Sequence, residues 1–98
     1  MQVSKINSSS FGLKITDRAM GFFENKYSHS PNKLLDVDRL ESKYPDYIIL
    51  DIDKQKNTNT FTCKLKDRGS KDYTESQFTE EQGIFEIENF IKSYLRIK

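Results

Sequence analysis

Tryptophan is absent from this chain, cysteine and histidine occur once each, proline twice and glycine four times. Each scarcity removes a class of chemistry. One cysteine, Cys63, excludes an internal disulfide framework and a multi-cysteine zinc site. One histidine, His29, excludes a two-histidine metal site within one chain, and neighbouring Ser28 and Ser30 do not supply the geometry a general base needs. No stretch approaches the ~18 uninterrupted apolar residues of a membrane span, and Met1 to Ser10 carries no apolar leader. Neither sign of charge dominates, with 16 Lys+Arg against 15 Asp+Glu. Glycine-rich phosphate loops and nucleophile elbows are missing as well, since Gly12, Gly21, Gly69 and Gly83 are scattered.

What is present is a chain of 98 residues with seven Phe and five Tyr, too aromatic for a typical disordered segment. That length holds one domain, spanning residues 1–98. A lone thiol and the lack of a leader point to a reducing, cytoplasmic interior.

Period-two and helical patterns alternate along it. Met1 to Ile6 alternates weakly. Phe11, Leu13 and Ile15 alternate with polar residues as a short strand does. Thr16 followed by Asp17 reads as a helix N-cap, and Ala19, Met20, Phe22, Phe23 and Tyr27 follow on one broad face. Ser30-Pro31 opens a second helix carrying Leu34, Val37, Leu40 and Tyr44, which Pro45 ends; Asp36 is an alternative cap. Residues 47–53 and 60–66 then form the central hairpin. With Leu50, Ile52, Phe61, Cys63 and Leu65 on the core face, Asp51 and Asp53 are expected to face Lys64 and Lys66. Tyr73 to Phe78 suits an edge strand. Thr79-Glu80-Glu81-Gln82 is a capping-box pattern that predicts a C-terminal helix over about 80–95, with Ile84, Ile87, Phe90, Ile91, Tyr94 and Leu95 as its apolar stripe. The expected fold class is therefore α+β, a small two-layer domain with helices packed on an antiparallel sheet.

From Leu34 onward, the order helix–strand–strand–strand–helix is similar to that of the double-stranded-RNA-binding domain, over about two thirds of the chain. That resemblance implies a lysine-rich start to the last helix. Here Glu80, Glu81, Glu86 and Glu88 stand in that helix and repel phosphate. The basic stretch Lys54, Lys56, Lys64, Lys66, Arg68 and Lys71 is interleaved with Asp51, Asp53, Asp67 and Asp72, so the charge balance argues against nucleic acid. Pro45-Asp46 with Lys64 resembles a metal-dependent nuclease pattern, but Thr62 stands where that pattern requires an acid.

The function expected from the residues is non-enzymatic: a protein partner, or self-association, through an aromatic helix face or a sheet edge. The binding residues expected are Phe22, Phe23, Tyr27 and Tyr73. No catalytic residue, metal or cofactor is expected. Nucleic-acid binding by the basic hairpin is the alternative, and a small metal-dependent enzyme on Asp51 and Asp53 is a third reading.

Overall fold

The computed structural model describes residues 12–97 of the chain. Its elements are β1 (Lys14–Ile15), α1 (Asp17–Lys26), α2 (Pro31–Lys43), β2 (Ile48–Lys54), β3 (Thr60–Asp67), β4 (Thr74–Thr79) and α3 (Ile84–Ile97). The four strands lie side by side in chain order, and the three helices build the second layer. The two-layer α+β architecture thus stands. The alternation over Met1 to Ile6, and Phe11 itself, lie outside the described residues.

The central hairpin forms in the register its alternation requires. Leu50 pairs with Leu65 and Ile52 with Cys63, which puts four fully buried side chains on one face. The chain turns between β2 and β3 with Asn57 at φ 62°, a left-handed conformation that asparagine tolerates. β4 adds antiparallel to β3 and brings Phe78 onto Phe61, with ring centroids 5.5 Å apart.

One expectation needs correcting: the sheet is mixed, because β1 runs parallel to β2. Two helices separate these strands, so the chain re-enters the sheet in its original direction rather than by a hairpin. Where β1 begins, Gly12 meets the end of α2. A Cβ there would lie 1.6 Å from the Glu41 carbonyl oxygen, which accepts from Leu13 N at 2.8 Å. Only glycine allows that approach.

The N-terminal cap of α1 forms as its sequence indicates, with the Thr16 hydroxyl accepting from Ala19 N at 3.1 Å. α2 starts at Pro31 rather than at the alternative cap Asp36, and the Ser30 side chain makes no capping bond.

The C-terminal helix starts later than its capping-box motif implies, at Ile84 instead of about residue 80. Thr79 remains in the sheet opposite Thr60, and Glu80 N donates to Asn59 O beyond it. Sheet pairing therefore outcompetes the helix start. Gln82 still reaches back, its Oε1 accepting from Thr79 N at 2.9 Å, but the result is a turn. The working cap is Gly83, whose N–H donates to Glu86 Oε1 at 3.0 Å while its carbonyl accepts from Ile87 N.

Candidate functional site

The acid pair on β2 is held by a different partner from the one its strand pattern suggests. Asp51 is opposite Lys64 in register, yet its carboxylate is bound by Arg18 at the start of α1. Arg18 Nη2 donates to Asp51 Oδ2 at 2.6 Å, Arg18 Nε to Oδ1 at 3.3 Å, and the Thr16 hydroxyl to Oδ1 at 2.6 Å. The expected pairing with Lys64 and Lys66 is therefore corrected. Lys64 reaches only Asp53, at 4.0 Å, and Arg18 spans both acids with Asp53 at 3.7 Å. Lys66 instead lies over the Tyr73 ring, 4.8 Å from its centroid.

The reason is burial. Asp51 is only 6% exposed, and such a carboxylate needs several donors aimed at it. Burial on its own raises the carboxyl's pKa. The bonds from Arg18 and Thr16 and the guanidinium charge outweigh it and hold the group below the usual carboxylate range. With those oxygens occupied, the pair ties the start of α1 to the sheet. Among the described residues no group of three or more potential metal ligands converges.

The four aromatic candidates do not converge. Phe23 is fully buried and Tyr27 nearly so, both within the main core. Phe22 is half-buried, its ring 4.6 Å from that of Phe61. Tyr73 lies beside Lys64 and Lys66, on the sheet face away from the helices, and is half-buried. The aromatic face of α1 is thus spent on packing, and Tyr73 stands apart from it.

Other reactive groups are similarly engaged or screened. Cys63 is fully buried, and burial pushes its thiol up to about 12, so it stays protonated. His29 is on the exposed turn between α1 and α2. Lys54 pairs with Glu80 at 3.0 Å and donates to two hairpin carbonyls. β4 has a neighbour on one side only, so it remains a free edge among the described residues.

A cleft lies between α2 and α3. Its volume is about 840 Å³, with Leu40 and Ile84 among its apolar lining. Phe85, in the first turn of α3, lines it and is 71% exposed; Leu35 on α2 is 52% exposed. Leu35 is four residues from the cleft-lining Arg39 and so shares its helix face. Charge is sorted across the cleft. Lys33, Arg39 and Lys43 line the α2 side, where Asp36 is bound to Arg39 at 3.0 Å. Glu81, Glu86 and Glu88 line the α3 side. One bridge spans the two walls, Lys43 to Glu88 at 2.7 Å, and the Tyr44 hydroxyl donates to the same carboxylate oxygen at 2.6 Å. These two donors lower the Glu88 pKa.

The signal for this site was present in the sequence but subtle. Phe85 falls outside the stripe of Ile84, Ile87, Phe90 and Ile91, and Leu35 outside that of Leu34, Val37 and Leu40. A large apolar residue off its helix's core stripe has nothing within its own fold to cover it.

Comparison with protein-family models, with curated proteins and with solved structures finds no match to this chain. No described helix is long and apolar enough to cross a membrane.

Proposed function

We propose that this chain is a non-enzymatic interaction domain that binds protein in the cleft between α2 and α3. The observation that carries this is Phe85, a large aromatic ring 71% exposed at a cleft of about 840 Å³. Exposed aromatics beside a pocket with a charged rim are what interface anchors look like before a partner covers them. The engaged state of Asp51 and Lys54 and the burial of Cys63 support the same reading.

The partner segment that fits presents one apolar anchor to Leu40 and Ile84, acidic groups toward Lys33 and Arg39, and basic groups toward Glu81 and Glu86. Panning a random peptide library on the immobilised chain, with Phe85→Glu as the counter-selected surface, tests it. Enriched peptides should shift amide resonances of residues 33–43 and 81–88. Peptides that shift only β4, or no enrichment at all, would overturn it.

A further inference from the structure

We infer that the occupant of the α2–α3 cleft is a second copy of this chain, docked about a two-fold axis that runs along the cleft. This rests on the cleft being a protein-docking surface and adds the identity and orientation of what fills it. Two features of the same patch carry it: a projecting apolar group beside a hole, and charge sorted by wall.

A two-fold interface brings a patch against itself, so the patch has to be self-complementary. A face with one knob and one hole meets that condition in shape. Phe85 of each copy enters the cleft of the other, against Leu40 and Ile84, and Leu35 is covered from the opposite side.

Charge then selects among the possible axes. If the two-fold ran across the cleft, each wall would meet its own kind: Lys33 and Arg39 against their copies, Glu81 and Glu86 against theirs. With the axis along the cleft, the net basic α2 wall of one copy lies over the acidic α3 wall of the other. Lys33 and Glu81 make no ion pair among the described residues, so both are open to such contacts. Lys43 and Glu88 already bridge the walls within one chain and hold the cleft's shape rather than reaching across. Asp36 and Arg39 pair with each other, which leaves the α2 wall net positive through Lys33 and Lys43.

Sedimentation equilibrium on the wild-type chain and two charge-reversed variants tests this. The wild type should show a dimer mass that dissociates as salt rises, because exposed charge pairs are screened within a Debye length of about 8 Å at physiological ionic strength. Lys33→Glu with Arg39→Glu makes both walls acidic. Glu81→Lys with Glu86→Lys makes both basic. Each variant, its fold verified by circular dichroism, should be weakened about tenfold or more in self-association. An equimolar mixture of the two should recover a dimer. Phe85→Glu should be monomeric under all conditions, while a lysine placed in β4 by Gln77→Lys should leave the dimer intact.

A wild-type monomer at millimolar concentration would overturn the inference, and the peptide selection would then decide separately whether the cleft binds another protein. A dimer that persists in Phe85→Glu, or that Gln77→Lys breaks, would place the contact elsewhere and overturn it too. A mixture that stays monomeric would refute the orientation about the cleft axis.

Discussion

Phe23 and Phe85 are the same side chain on two helices of one small domain, and the fold treats them oppositely. Phe23 on α1 is 0% exposed, stacked beside Tyr27 and edge-on to Phe22, while Phe85 on α3 is 71% exposed. The regions around them differ in the same way. Beneath the sheet, apolar side chains from all three helices close over Leu50, Ile52, Phe61 and Leu65, and among the described residues no buried side-chain polar atom lacks a hydrogen-bond partner. Between α2 and α3, the apolar lining is left open and ringed by charge. Composition does not distinguish the two aromatics. Position relative to the helix stripe does, because an α-helix has one face to give to the core and Phe85 lies off it.

The largest expected effect tests that contrast directly. Phe23→Ala should cost about 3–5 kcal/mol, by lost burial and the cavity left behind, in a domain whose whole stability is of the order of 5–15 kcal/mol. Phe85→Ala should change stability by less than about 0.5 kcal/mol. Denaturant melts of both variants check it, and a Phe85→Ala loss approaching that of Phe23→Ala would erase the distinction between core and cleft.

Next in size is the junction that lets α2 approach β1. Gly12→Ala drives a methyl group into the Glu41 carbonyl, where backbone has to move, and should cost upward of about 2 kcal/mol. An unchanged thermal midpoint would mean that the two segments are not held in close contact.

Third is the pair that ties α1 to the sheet. Arg18→Ala should cost about 2 kcal/mol at neutral pH, since it removes charge-assisted bonds from a buried carboxylate while the exposed side of the guanidinium is already screened. The pH dependence has a definite sign. In the folded wild type the Asp51 pKa is lowered, so its contribution is complete above the unfolded value of about 3.9 and fades as pH falls through the folded value. In the variant Asp51 keeps the Thr16 and backbone hydrogen bonds but loses the guanidinium, so burial is less offset and its pKa lies higher than in the wild type. The gap between wild type and Arg18→Ala should therefore narrow on acidification below about pH 4. Chemical melts from pH 7 down to pH 3 would show this, and a gap constant over that range would assign the loss to packing of the Arg18 stem.

The smallest effect concerns the start of α3, on the open side of the comparison. Glu86→Ala removes the acceptor of the Gly83 N–H and should cost about 1 kcal/mol. Amide exchange should quicken over residues 84–88 and leave β2 and β3 unaffected. Uniform quickening would instead mean that the cap supports the whole domain.

Much of the fold was legible in the residues because it depends on short-range periodicity. Alternation of Leu50 and Ile52 with acids, and of Phe61, Cys63 and Leu65 with Thr62 and Lys64, settles which face each strand buries and therefore the hairpin register. Thr16 as the cap of α1 and Pro31 in the first turn of α2 depend on neighbours within four positions. The start of α3 departs from its local signal for a physical reason. Thr79 carries a valid capping motif, but it also completes a strand pair with Thr60, a residue far away in sequence. A local signal lost to a nonlocal one.

The candidate site was less legible, and the reason is distance along the chain. Arg18 and Asp51 are 33 residues apart, and Lys43 and Glu88 are 45 apart. No pattern within a window links them. Lys64 is the nearer charge in the strand ladder, yet it loses Asp51 to an arginine that can deliver two donors to the carboxylate. The density of aromatics on α1 serves the core, which buries Phe23 and Tyr27 and packs Phe22 against it, while Tyr73 stands apart beside Lys64 and Lys66.

By itself, the order of residues settled the strand faces, the helix stripes and the absence of metal-binding cysteine clusters, since these follow from backbone periodicity and from which atoms exist. Only the packing of α2 against α3 decided that Phe85 and Leu35 stay uncovered beside a cleft whose two sides carry opposite charge. Exposure is a property of what neighbouring elements leave uncovered, and neighbours in space are set by the tertiary fold.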